Sequence, residues 1–301
     1  MRVQLTGRLG VAAMTIIGLG ALAACSSAGV TPAASGGNST PTTVATPWPS
    51  VIALPTELPE QITWDQLLPL FAYDGAGPLD LAIVSSETDD GARIEDITFT
   101  GAAGETIEAF LILPEGSGPF PAVLFEHGAG GDRYGFLYDA TQLAQQQHIV
   151  GLAVSRPTGL DNDTNDRIEM ILQVREMRRA LDLLASLPQV DKSRLGYVGF
   201  SQGAVYGMSL CAAETRLKTA VLAAAVPGMW DIELTAPHVT VPSVLLQFGT
   251  QDGYYTHETA EALAALIPAT KQVTWYEAPH NLNSAATADR ATWLAQKLGA
   301  G

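Results

Sequence analysis

Gly199-Phe200-Ser201-Gln202-Gly203 carries the pattern by which a serine is turned into a nucleophile. The apolar run Leu195 to Val198 before it reads as a buried strand. The small residues Ala204 to Ala213 after it read as a helix packed closely on a sheet. At such a strand-to-helix turn the glycines allow a tight, strained elbow and leave the approach to the hydroxyl clear. A serine hydroxyl is a weak nucleophile at neutral pH, so it needs a base within hydrogen-bond reach and a third group to orient that base. Of five histidines, His127 lies in a glycine-rich turn, His148 at a strand start, His238 in a connector and His257 at a helix start. His280, in Ala278-Pro279-His280, alone follows a strand end downstream of Ser201 and is the expected general base. Asp252 follows the preceding strand and is the expected acid, with Asp231 on an earlier connector as its competitor. A tetrahedral intermediate also needs two backbone N–H donors. Gln202, next to the nucleophile, supplies one. The His127-Gly128-Ala129-Gly130-Gly131 turn suits the other, from Ala129 or, as close competitor, Gly128.

These residues need a scaffold that brings loop ends together. Ile94 to Phe99 and Thr106 to Leu113 read as two strands of a hairpin joined by Gly101 to Gly104. Continuous apolar runs at Pro121–Phe125, Ile149–Val154, Leu217–Val226, Val244–Phe248 and Val273–Glu277 read as strands, mostly buried. Helical patterns separate them at Phe136–Gln147, Asp166–Leu184, Thr256–Leu266 and Thr287–Leu298. Asp166 with Glu169 has capping-box spacing, and Arg175, Arg178 and Arg179 read as the solvated face of that helix. Such alternation predicts an α/β class chain with a mostly parallel sheet covered on both faces, its site beyond the carboxyl ends of the strands. Trp230 to Pro242 is too short for a large cap domain. Asp161-Asn-Asp-Thr-Asn-Asp166 lacks the glycine and glutamate of a calcium loop and is read as an acidic rim. Trp230, Tyr254 and Tyr255 are candidates to line an apolar pocket.

Taken together, Gly199-Phe-Ser-Gln-Gly203, His127-Gly-Ala-Gly-Gly131, Gly249-x-x-Asp252 and Ala278-Pro-His280 resemble an α/β-hydrolase of the dienelactone hydrolase-like branch, over roughly residues 90 to 299. The resemblance implies the α/β-hydrolase fold and acyl transfer through a Ser201, Asp252, His280 triad. Dienelactone hydrolases use a cysteine nucleophile, and Ser201 in its place favours esters over lactones. The expected substrate is a small-molecule carboxylic ester, with a peptidase or amidase, or a binding module without turnover, as the alternatives. The chemistry calls for no metal or organic cofactor.

The N-terminus reads as an export signal: Arg2 and Arg8, a short apolar segment Val11 to Ala24, then Leu22-Ala23-Ala24-Cys25. That ending resembles the lipobox of bacterial lipoproteins, which implies lipidation at Cys25 and a place in the cell envelope; secretion after an Ala-x-Ala cleavage is the alternative. The expected division is a signal over 1–24, a Ser/Thr/Pro-rich tether over 25–50, an arm over 51–90 and the catalytic domain over 91–301. With 16 Lys and Arg against 31 Asp and Glu, the net charge of −15 disfavours nucleic acid as a partner. Only two cysteines occur, without ligand spacing, so no disulfide framework or structural zinc is expected; Cys211 reads as a small core residue.

Overall fold

The computed structural model describes residues 53–54, 57–157 and 166–300. The signal, the tether, Cys25, the loop preceding Asp166 and the Asp166 side chain of the expected capping box lie outside the described residues. Ala92–Thr100 (β2) and Thr106–Leu113 (β3) form the expected antiparallel hairpin, Arg93 opposite Leu113 and Thr100 opposite Thr106. The sheet begins earlier than the sequence suggests. Ala82–Asp89 (β1) pairs antiparallel with β2 as an edge strand, and all eight of its residues are exposed. A strand wet on both faces has no burial to write as apolar alternation, so its sequence carries no strand signal.

From Phe120 the chain alternates as expected. Phe120–Glu126 (β4), Val150–Val154 (β5), Val190–Phe200 (β6), Leu217–Ala223 (β7), Ser243–Gly249 (β8) and Thr270–Tyr276 (β9) run parallel in one nine-stranded sheet, ordered β1-β2-β3-β5-β4-β6-β7-β8-β9. The helical elements are a short Trp64–Leu67 (α1), Leu137–Gln147 (α2), Asp166–Ser186 (α3), Gln202–Ala213 (α4), a short Ile232–Thr235 (α5), His257–Leu266 (α6) and Ser284–Leu298 (α7). The last begins three residues before the expected Thr287 because Asn283 accepts the Ala286 amide as N-cap. One face of the sheet buries α3, α4, α6 and the arm residues Leu67 and Phe71; the other buries α2 and α7 through Leu143, Trp293, Leu294 and Leu298. After β4 the chain steps to one side for β5 and then crosses to the other for β6. That reversal opens a crevice at the carboxyl ends of β4 and β6, which is where ligands bind in open α/β sheets.

The reading of Arg175, Arg178 and Arg179 as a solvated face is corrected by the structure. Arg175 and Arg179 are buried, and all three donate to backbone carbonyls of the arm: Arg175 to Leu70, Arg178 to Phe71, and Arg179 to Gly75, Gly77 and Pro78. The turn-rich stretch to Asp80 thereby acquires a structural role. Among the described residues the connector after β7 holds only α5 and one 3-10 turn, so no large cap is inserted.

One buried acid makes the fold pH-sensitive. Glu176 on α3 accepts the Ala102 amide at 2.8 Å. Burial, and then a hydrogen bond to the Glu105 carboxyl, push its pKa up to about 9. A folded-state pKa above the unfolded value means that this stability is complete below the ordinary carboxylate range and lost as the pH rises toward 9. Glu176→Gln keeps an acceptor for Ala102 and cannot ionise. Thermal melts from pH 5 to 9 should therefore show a shallower alkaline decline in the variant, whose midpoint at pH 9 should exceed the parent's; parallel curves would overturn this.

Candidate active site

The elbow is as strained as its sequence implies. Ser201 sits at φ 52°, ψ −116° between β6 and α4, a backbone conformation that residues with a Cβ rarely adopt. The flanking glycines are needed for contact. A Cβ on Gly199 would lie 2.4 Å from the Gly203 carbonyl oxygen, and one on Gly203 would lie 2.4 Å from that of Glu126. Tyr197, wholly buried, donates its hydroxyl to the Gly203 carbonyl at 2.6 Å and holds the start of α4 on the strand.

His280 reaches this serine from the turn after β9. Its Nε2 lies 2.8 Å from Ser201 Oγ, and its Nδ1 lies 2.6 Å from Asp252 Oδ2. The Asp252 side chain is fully buried, and its Oδ1 accepts the Tyr254 amide at 2.9 Å. Tyr255 packs behind it: its hydroxyl accepts the Gly249 amide at 3.1 Å, and burial, reinforced by the nearby Asp252 carboxylate, raises its phenol pKa. The ring thus stands between the two side chains, with Asp252 on its Nδ1 edge and Ser201 on its Nε2 edge. The competing Asp231 is elsewhere, in a bidentate pair with Arg167.

Three of the other four histidines have structural places, and His127 stays in the turn after β4. His148 ends α2 in the left-handed conformation, His238 stacks on Trp64, and His257 stacks on Trp275. Cys211 is buried on α4, and burial raises its thiol pKa, which leaves it inert.

The turn after β4 faces the serine. A Cβ on Gly128 would lie 3.3 Å from Ser201 Cβ, so this backbone passes against Ser201. Among the described residues, neither the Gly128 nor the Ala129 amide donates to a protein acceptor. Both remain open to a substrate oxygen, as the sequence left them. The Gln202 amide opens α4, where the first N–H groups of a helix lack intrahelical partners and the helix dipole favours negative charge.

Two depressions flank Ser201 and His280. A cleft of about 360 Å³ runs from His127, Gly128 and Ala129 past Phe200 to Asn281, with the Asp139–Arg290 ion pair in its wall. A groove of about 520 Å³ lies beyond Tyr254, whose ring packs 4.6 Å from that of His280; Tyr255, Leu263 and Leu266 line it too. Trp230, expected beside the two tyrosines, packs instead on Tyr206. No cluster of three or more His, Cys, Asp or Glu suited to a metal occurs among the described residues.

An acetyl xylan esterase from Paenibacillus sp. R4 shares this architecture with a TM-score of 0.66 at 18% identity, over 78% of this chain and 93% of that one. The chain has the α/β-hydrolase fold. Within this hydrolase fold, a family model described as FrsA-like esterase matches residues 86–233, just under half of the chain. The polyketide transferase ATR5 of Stachybotrys chlorohalonatus is 32% identical over 136 residues, 44% of each protein. Acyl-coenzyme A thioesterase 5 of Mus musculus is 32% identical over 117 residues, 38% of this chain and 26% of that one. The chain spans less than half the length of the curated relatives it matches.

Sequence reasoning missed one part of the site. Arg156, just past β5, reaches beneath the elbow to Glu126, the His127 carbonyl and the Gln202 side chain. A lone arginine in a loop has no spacing that marks it.

Proposed function

We propose that this chain is a serine hydrolase that cleaves carboxylic esters through an acyl-enzyme on Ser201. The observation that carries the reading is the continuous hydrogen-bonded line from Ser201 Oγ through His280 to Asp252, at 2.8 and 2.6 Å. Ser201 Oγ attacks the ester carbonyl as His280 Nε2 takes its proton. The carbonyl oxygen, now negative, sits at the amides of Gln202 and of Ala129 or Gly128. Collapse breaks the bond to the alcohol, which leaves with the proton from His280. A water then repeats the sequence on the acyl-enzyme and releases the acid.

Esters are favoured over amides because the family model is one of esterases and the curated relatives bear the names of a polyketide transferase and of acyl-coenzyme A thioesterases. An alcohol is also a better leaving group than an amine. Our placement in the dienelactone hydrolase-like branch, and export with lipid attachment at Cys25, rest on the sequence.

A fluorophosphonate probe should label the intact chain at Ser201. A series of aryl esters of increasing acyl length, paired with one matching anilide, should show ester turnover far above amide turnover. Absence of labelling, together with no ester turnover in the parent above that of Ser201→Ala, would leave a binding module instead; equal turnover of ester and anilide would make the chain an amidase.

A further inference from the structure

We propose that Arg156 is the positioning residue of the oxyanion site: one buried guanidinium fixes the distance between the two chain segments whose amides receive the substrate oxygen. The inference rests on the acyl-transfer reading above.

Those segments leave adjacent strands. The β4–β6 ladder ends with Glu126 opposite Gly199, and beyond that pair no backbone hydrogen bond joins residues 127–131 to residues 200–203 among the described residues. Arg156 spans the gap from below. Its Nε donates to Glu126 Oε1 at 2.9 Å, its Nη2 to the His127 carbonyl at 2.7 Å and its Nη1 to Gln202 Oε1. Gln202 is gripped at its other end too, since its Nε2 donates to the Tyr206 hydroxyl at 2.8 Å. The guanidinium lies over the Tyr206 ring, 5.4 Å from its centroid. With the amide plane of Gln202 held on both sides, the main-chain N–H of the same residue has little freedom. The carbonyl of His127 is held directly, one peptide before the Gly128 amide.

The charge is costly where it stands. The Arg156 side chain is 9% exposed and that of Glu126 is 0% exposed. Buried ion pairs are often no more stabilising than well-packed apolar residues, so their use points to a demand for geometry. Glu126 neutralises the guanidinium, and Gln173 Nε2 satisfies its second oxygen at 3.1 Å. The planar fork of arginine serves three acceptors at once, which a lysine ammonium on a flexible stem cannot match. Arg156 touches no reacting atom and acts through Gln202 and His127.

The test is Arg156→Lys in the full chain, with Gln202→Leu as a second variant that keeps the ion pair. Loss of one oxyanion donor costs about 10²- to 10³-fold in kcat; loosening two donors without removing either should cost roughly 10- to 100-fold. KM for an aryl ester should stay within about threefold, because the ground-state carbonyl makes little use of the site. Affinity for an aryl boronic acid, which forms a tetrahedral adduct on the serine, should fall in step with kcat. The limbs of the pH–rate profile should not move. The double variant should lose little more than the worse single one, since both undo one clamp. Guanidinium added to Arg156→Ala should restore part of kcat. A folded Arg156→Lys with parental kcat and boronate affinity overturns the proposal. So does a loss shared by kcat and KM alongside a falling melting temperature, or a fully additive double variant. If the parent itself goes unlabelled at Ser201, the acyl-transfer reading falls and this one with it.

Discussion

Ser201→Ala is expected to lower ester turnover by roughly 10⁶-fold, with the remaining rate coming from binding and the oxyanion amides. The variant keeps a Cβ at φ 52° and therefore keeps the parent's strain, so its melting temperature should match the parent's. Ser201→Gly separates the two properties. It should be as inactive, yet a residue without a Cβ accepts that conformation freely. Backbone strain of this kind costs about 1–3 kcal/mol, so its relief, offset in part by glycine's greater unfolded entropy, should raise stability by roughly 1 kcal/mol. In a domain of this size that is a rise of about 2–4 °C in the melting temperature. Kinetics on one aryl ester and calorimetry on the three proteins suffice. Turnover within tenfold of the parent in either variant removes Ser201 from the chemistry. An unshifted melting temperature in Ser201→Gly would show that the elbow holds no strain.

The second large effect is at Asp252. Asp252→Asn should reduce kcat by about 10⁴-fold with little change in fold or KM, and the hydrogen bonds around the side chain say why. Oδ1 accepts the Tyr254 amide at 2.9 Å, so an asparagine must place its carbonyl there to avoid setting two donors face to face. Its NH₂ then points at His280 Nδ1, where Oδ2 stood at 2.6 Å. A donor in that position forces the imidazole proton onto Nε2, which now donates to Ser201 Oγ and cannot take its proton. The loss should appear in kcat for every ester of a chain-length series alike, since substrate contacts are untouched. A fall of less than tenfold would mean that His280 keeps its tautomer without Asp252.

These residues could be placed from the sequence because each stands directly after a parallel strand, and such strands are apolar runs that are hard to mistake. Ser201, Asp252 and His280 then follow one another in a single order. The helix Asp166–Ser186 was legible for a similar reason, its apolar spacing being regular until Pro188 approaches. What escaped was whatever is paired across the fold without a period. Arg175, Arg178 and Arg179 carry the charge of a solvated face and nothing local separates them from one; their acceptors lie about a hundred residues upstream. Glu126 reads as the polar end of a strand and Arg156 as a loop residue, although each is buried against the other. β1 was invisible because it buries nothing. Local pattern reports what a residue's own segment needs; it is silent on partners chosen by tertiary contact.

The arginine grip on the arm has a consequence for how this chain tolerates change. Arg175, Arg178 and Arg179 hold main-chain oxygens at Leu70, Phe71, Gly75, Gly77 and Pro78, and every residue type supplies that oxygen. The clasp is therefore indifferent to spelling: where a side chain has room, as at Gly77 with no atom within 4 Å of the place a Cβ would take, residues can be exchanged without loosening it. It is intolerant of miscounting. Adding or deleting one residue between Leu70 and Pro78 shifts the downstream carbonyls out of register with the three guanidinium groups. Outside Phe71, which the core buries, and Tyr73, whose hydroxyl donates to Asp182, the length of the text is read more closely than its letters.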